Sequence, residues 1–184
     1  MERRNAWLSY TEAEEKELEQ VAKAYRNFLN VGKTERECVT QIIREARAAG
    51  YESLEEKTAK GEKLKAGDKV YTVGMKKIIA LFHIGQDDIS EGMNILGAHI
   101  DSPRLDVKQN PLYEDTDLAY LDTHYYGGVK KYQWVTLPLA IHGVVVKKDG
   151  STAEVNIGED EDDPIVYILS LIHISEPTRH SLIS

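Results

Sequence analysis

A histidine followed two residues later by an aspartate is the part of this sequence best suited to chemistry. A short, largely apolar run at 94–98 leads to His99, and Asp101 and Pro103 follow. Histidine is the commonest metal ligand, and its second ring nitrogen usually donates to a carboxylate. Residues two apart in an extended chain point the same way, so Asp101 can support the His99 imidazole. The pattern suits zinc, cobalt or manganese alike, and taken alone it also fits a chance occurrence.

The elements that must position this segment begin with two helices. Residues 11–30 predict the first, because Thr11 can cap it and apolar residues recur at a spacing of three and four. Residues 34–37 form a capping box for the second, and Gly50 is expected to end it. The polar stretch at 52–68 is interpreted as a loop.

A β-hairpin and one further strand are predicted to lead from these helices to His99. Residues 69–73 and 77–85 favour two strands joined around Gly74. The second of them contains a nearly continuous apolar run, which is typical of a strand covered on both faces. Residues 93–98 predict the next strand, with His99 at its carboxyl end, where sites in α/β folds gather.

The sequence after about residue 107 is typical of an all-β unit. Strand-like stretches recur there, and no convincing helix lies among them: 118–121, 134–137, 140–147, 153–157 and 165–168. Asp149 and Gly150 form a good hairpin signal. The predicted fold class is therefore α/β, with an α/β part followed by the start of an all-β part.

Composition indicates a globular chain and excludes some classes of function. The 184 residues are 41% hydrophobic and 29% charged, a balance typical of folded proteins. The net charge of −8 disfavours nucleic acid as a partner, because phosphate binding needs a basic face. No apolar run reaches the roughly 18 residues of a membrane span. A single cysteine, Cys38, indicates a reducing compartment, so we expect a cytoplasmic protein.

Four blocks of the sequence resemble the M18 family of zinc aminopeptidases and stand in that family's order. They are TERE at 34–37, GAHIDSPRLDVK at 97–108, HYYGGVKKYQW at 124–134 and PLAIHG at 138–143. The resemblance covers about residues 1–168, and the bacterial, aspartyl aminopeptidase-like branch fits best. It implies an α/β/α zinc-peptidase catalytic domain with an inserted all-β dimerisation domain. We expect residues 1–108 to belong to the former and residues 109–168 to the latter.

The resemblance also implies roles for individual residues. His99 would bind zinc, and Asp101 would orient the imidazole and tune the metal. Members of the family hold two zinc ions and use a glutamate as general base on a bridging water, which attacks the peptide carbonyl. The whole protein would release N-terminal amino acids from peptides and assemble as a homo-oligomer. No organic cofactor is implied.

The sequence departs from the family pattern in the part that should complete the site. The family's other metal ligands and its Glu-Glu pair follow the inserted domain, whereas both Glu-Glu pairs here, Glu14-Glu15 and Glu55-Glu56, precede His99. Catalytic zinc needs three protein ligands, so we expect at most one weak zinc site and no turnover from this chain. Residues 169–184 begin with LSLIHISEPTR, which resembles a translated sequencing adapter and predicts a foreign tail. An ordinary C-terminal strand and loop is the alternative.

Further residues and a different class of function stay open. His124, beside two tyrosines and two glycines, is a candidate for contact with substrate or a neighbouring subunit, with a plain β-loop as the alternative. His83 and His142 are interpreted as packed or edge histidines. Arg104 and Lys108 either contact a substrate carboxylate or are solvated. A non-catalytic binding or oligomerisation module is the alternative function.

Overall fold

The computed structural model describes residues 5–115 and 117–168, which fall into two units. The first unit ends at Ile100 and the second begins at Asp101. None of the helices in these described ranges is both long and apolar enough to cross a lipid bilayer.

The first unit opens with two capped helices, α1 (Glu12–Val31) and α2 (Glu35–Ala48). Both start at a capping box, in which a threonine and a glutamate three residues later satisfy each other's backbone N–H groups. Beyond α2, Gly50 adopts a φ of 85°, and the Tyr51 N–H donates to the Ala46 carbonyl at 2.9 Å. This bond satisfies one of the last helical carbonyls. Both helix predictions are confirmed.

A three-stranded sheet follows, in the order β1 (Glu52–Ser53), β2 (Lys69–Gly74) and β3 (Ile78–His83). β1 pairs parallel to β2, and β2 pairs antiparallel to β3, which confirms the predicted hairpin. Its turn uses Met75 and Lys76 at φ values of 50° and 57°. Helix α2 contacts β2 and β3, and the buried apolar side chains of the unit belong to α2 and β2: Cys38, Val39, Ala46, Val70 and Tyr71.

The loop predicted at 52–68 is partly wrong, because it contains β1 and a short helix, α3 (Leu54–Ala59). The Ser53 hydroxyl accepts from the Glu56 N–H at 3.3 Å and so caps α3. A serine followed three residues later by a glutamate is a helix-start signal that was overlooked. The Lys57 ammonium, 3.1 Å from Glu52 and 3.5 Å from Asp68, ties the helix to the residues on both sides of it.

Two strand predictions before His99 are also wrong, at least in part. β3 lies at the edge of the sheet rather than between neighbours, and Ile78 is 70% exposed. Residues 93–98 form no strand, and Leu96 is fully exposed at 100%. A strand needs a neighbour for its backbone hydrogen bonds, and residues 5–100 offer no partner to this run. Apolar sequence alone therefore does not make it a strand.

The second unit consists of two antiparallel hairpins. One pairs β4 (Arg104–Asp115) with β5 (Leu118–Tyr126), and the other pairs β6 (Ile141–Val146) with β7 (Thr152–Ile157). The predicted stretches 134–137 and 165–168 make only isolated bridges, not strands, and Thr136 adopts a φ of 63° that interrupts an extended chain. β4 was not predicted, although its apolar and polar residues alternate from Arg104 to Lys108.

Candidate metal site

His99 lies in an irregular stretch, residues 92–100, and its side chain is exposed. The backbone next to it is tied to α2, because the Cys38 thiol donates to the Ile100 carbonyl at 3.7 Å and to the Gly32 carbonyl at 3.5 Å. Burial, together with the nearby acidic side chains, raises the pKa of Cys38. The thiol is therefore protonated and able to donate at neutral pH. This contact fixes the chain one residue after the candidate ligand.

Asp101 begins the second unit and is half-buried. The hydroxyl of Tyr126, the last residue of β5, donates to Asp101 Oδ2 at 2.9 Å. The guanidinium of Arg104 lies over the Tyr126 ring, 4.2 Å from its centroid. Arg104 Nε also donates to Asp106 Oδ1 at 2.7 Å. The candidate supporting carboxylate is therefore itself held by groups on the β4–β5 hairpin.

These residues belong to a polar face of the β4–β5 hairpin. The face consists of Arg104, Asp106 and Lys108 on β4 and Tyr126, His124 and Asp122 on β5. Strand residues two apart share a face, which brings the members of each strand to one side. Lys108 Nζ lies 3.0 Å from Asp122 Oδ2. Arg104 and Lys108 therefore each already bind a carboxylate of the chain.

The other histidines singled out from the sequence differ in their burial and contacts. His124 Nε2 is 3.7 Å from Asp106 Oδ2, and 58% of the His124 side chain is exposed. His142 is packed, with 10% of its side chain exposed and Nε2 3.0 Å from Glu159 Oε1. His83 ends the edge strand β3 and is exposed. The interpretation of His83 and His142 as edge and packed histidines is confirmed.

The two upstream Glu-Glu pairs serve helix starts. Glu14 accepts the Thr11 N–H at 2.8 Å, and this bond is the main reason that its pKa is lowered. Glu55 accepts the hydroxyls of Thr72 and Ser53, and the Thr72 bond is the largest cause of its lowered pKa. Both carboxylates stay ionised as hydrogen-bond acceptors, which is the opposite of the raised pKa that suits a general base.

The donor types of the segment fit zinc, but their number does not complete a site. An imidazole with a nearby carboxylate is a usual part of a zinc centre. Across residues 5–115 and 117–168, no group of three or more His, Cys, Asp or Glu side chains is placed to hold a metal ion. A catalytic zinc needs three protein ligands. The described residues therefore do not complete such a centre.

Comparison with known proteins decides the family. The sequence model of the family described as "Aminopeptidase I zinc metalloprotease (M18)" matches residues 28–183. The chain belongs to the M18 family. The "Probable M18 family aminopeptidase 1" of Clostridium acetobutylicum is 55% identical over 175 residues, 95% of this chain. The span matched by the family model, residues 28–183, includes most of the predicted foreign tail, 169–184. The tail lies outside the described residues, and its foreign origin stays a prediction.

Solved structures of M18 proteins agree with the fold. The structure of aminopeptidase I from Borrelia burgdorferi B31 matches 93% of this chain with a TM-score of 0.85 at 38% identity. That of aminopeptidase I from Clostridium acetobutylicum matches 90% with a TM-score of 0.76 at 57% identity. The predicted α/β fold class is therefore confirmed. This chain spans 38% of the length of the Clostridium relative and 41% of the Borrelia chain.

One member of the arrangement around the candidate site was missed by sequence reasoning. Tyr126 was noted only as a neighbour of His124, and nothing in the local pattern joins it to Asp101, 25 residues earlier. The link depends on the pairing of Arg104 with Tyr126 across β4 and β5. Recognising the alternation that predicts β4, and then pairing it with β5, was the available signal.

Proposed function

We propose that the whole protein is a zinc-dependent aminopeptidase that releases N-terminal amino acids from peptides. The observation that carries the proposal is the His99-Ile100-Asp101 segment inside the span matched by the M18 family. Zinc, when bound, acts as a Lewis acid and activates water for attack on the peptide carbonyl. In this proposal, His99 is one of its ligands, and Asp101 holds the imidazole in orientation.

The remaining ligands and the glutamate base are proposed to lie in sequence beyond residue 168. Support comes from the described residues, which gather no third donor, and from the 38% of the Clostridium relative that the chain spans. The 184-residue chain by itself is then expected to bind at most one zinc ion, weakly, and to release no amino acids.

The assembly and surroundings of the whole protein follow the same proposal. We place it in the cytoplasm as a homo-oligomer, with residues 109–168 at the start of the dimerisation domain. His124 is a candidate for contact with substrate or a neighbouring subunit, supported by its exposed imidazole. Replacing it by alanine separates these roles, because loss of a substrate contact raises KM while loss of a subunit contact changes the mass of the assembly.

The proposed function is tested by zinc content and aminopeptidase activity, measured together on the whole protein and on the 184-residue chain. A panel of aminoacyl substrates covers the unknown preference for the N-terminal residue. We expect the whole protein to turn over and to lose both zinc and activity in His99→Ala. The matched control is His83→Ala, which removes an exposed imidazole outside the candidate site and should change neither.

Two results would overturn the proposal in different ways. Full activity in His99→Ala would remove this residue from the site. Robust turnover by the 184-residue chain would show that the ligands are complete within it. A whole protein that assembles but neither binds zinc nor cleaves any substrate would favour the non-catalytic oligomerisation module instead.

A further inference from the structure

We propose that Tyr126 is a positioning residue of the metal site, which holds Asp101 in the orientation needed to support His99. The inference rests on the proposed function, since it gives Asp101 its role. Its own basis is the 2.9 Å hydrogen bond from the Tyr126 hydroxyl to Asp101 Oδ2. A hydroxyl that donates to an ionised carboxylate makes one of the stronger hydrogen bonds in proteins.

The hairpin fixes the Tyr126 ring before any metal arrives. Tyr126 pairs with Arg104 across β4 and β5, and the Arg104 guanidinium lies 4.2 Å from the centre of the ring. Arg104 is held in turn by Asp106, whose Oδ1 accepts from Nε at 2.7 Å. The position of the tyrosine hydroxyl is therefore set by strand pairing, a cation–π contact and an ion pair.

The chain beside Asp101 is also held close to the end of this hairpin. Gly127 adopts a φ of 74°, and a Cβ placed on it would lie 3.4 Å from the Cα of Pro103. A glycine lets the backbone adopt this conformation without strain and approach Pro103 closely. Gly127 thus lies close to Pro103, and the Tyr126 hydroxyl contacts Asp101 two residues earlier.

The hydrogen bond from Tyr126 does not prevent Asp101 from accepting a second one. An ionised aspartate accepts hydrogen bonds through both of its oxygens, so a bond from Tyr126 to Oδ2 is compatible with another from an imidazole. The tyrosine bond limits rotation of the carboxylate group. In metal sites, carboxylates that orient a ligating histidine are themselves hydrogen-bonded, and their partners influence metal affinity.

Zinc affinity of the whole protein, measured by competition with a chelator, tests the inference without relying on turnover. Tyr126→Phe removes the hydroxyl and keeps the ring under Arg104. We expect it to weaken zinc binding roughly 10-fold, at the lower end of the roughly 10- to 100-fold that loss of such outer partners costs. Tyr125→Phe is the matched control, because the two rings are 49% and 41% exposed and Tyr125 points to the opposite face.

A double-substitution cycle shows whether Tyr126 acts through Asp101. In an Asp101→Ala background, which has no acceptor for the tyrosine, Tyr126→Phe should have no further effect on zinc affinity, whereas a general structural role would weaken binding to the same extent in both backgrounds. Wild-type affinity in Tyr126→Phe, or the same loss in Tyr125→Phe, would overturn the inference and leave the proposed function standing. Wild-type affinity in His99→Ala would overturn the proposed function itself.

Discussion

Replacing Gly32 by alanine should destabilise the first unit by disturbing the cysteine that ties α2 to the His99 segment. A Cβ at Gly32 would lie 2.7 Å from Cys38 Sγ and 3.2 Å from the Phe28 carbonyl oxygen. Comfortable contacts between nonbonded heavy atoms lie at about 3.5–4.0 Å, so the sulfur must move by nearly 1 Å. Cys38 is only 4% exposed and cannot escape into solvent.

The size of the effect follows from two opposing contributions. Forcing an extra methyl group into a packed site costs roughly 1–3 kcal/mol. Gly32 has a φ of −95°, which alanine also adopts, so the substitution stabilises by about 0.4–1 kcal/mol through the unfolded chain. The steric contribution is the larger one. We therefore expect Gly32→Ala to lower the free energy of unfolding by about 1–2 kcal/mol.

Urea unfolding followed by far-ultraviolet circular dichroism measures this change. Cys38→Ala removes the sulfur that the new methyl group meets, so the double variant should lose about 1 kcal/mol less than the sum of the single losses. Gly85→Ala is the matched control, because the only neighbouring atom a Cβ would meet is the Asp87 nitrogen at 4.0 Å. Strict additivity of the Gly32 and Cys38 substitutions would refute the reasoning.

Three further predictions concern a helix cap, a carboxylate and a strand edge. Thr34→Ala should lower the free energy of unfolding by about 1 kcal/mol in urea titrations, since the capping box with Glu37 is lost, and Thr34→Ser should restore most of it. Hydrogen bonding, chiefly from Thr72, lowers the pKa of Glu55 from 4.5, so its stabilisation is present above pH 4.5 and is lost as the pH falls through the lower folded value. The advantage of wild type over Glu55→Gln should therefore shrink in acid, and a constant advantage would contradict this. Ile78→Lys should reduce the light scattering of concentrated solutions of the chain, because a lysine hinders the pairing of copies at the edge of the sheet. Unchanged scattering would exclude β3 as the edge through which copies associate.

The features predicted correctly from the sequence depend on signals within a few residues of each other. Thr34 and Glu37 satisfy each other's backbone donors whatever the rest of the chain does, so α2 begins where the pattern indicates. The hairpin between β2 and β3 joins neighbours in sequence. The family was likewise found from contiguous blocks of sequence. α3 was missed although Ser53 and Glu56 give a local signal of the same kind.

The predictions that failed concern features that depend on partners distant in sequence or outside the described residues. Residues 93–98 have the composition of a buried strand, but the described residues provide no strand beside them, and Leu96 is fully exposed. β3 was expected to be covered on both faces, but Ile78, Leu81 and Phe82 are exposed. The contact of Tyr126 with Asp101 was not anticipated, because it depends on the register of two strands, one of which was not predicted.

The division between local and distant partners also applies to the candidate metal site. Zinc ligands in a peptidase come from several parts of a fold, and the described residues bring no three of them together. The groups that hold Asp101 lie within one hairpin and are in contact through Tyr126 and Arg104. The support for the carboxylate is therefore formed by contacts within and beside one hairpin, while the described residues do not by themselves complete a set of metal ligands. In the whole protein, we infer that the hairpin orients Asp101 before zinc binds, so loss of the Tyr126 hydroxyl should weaken zinc affinity.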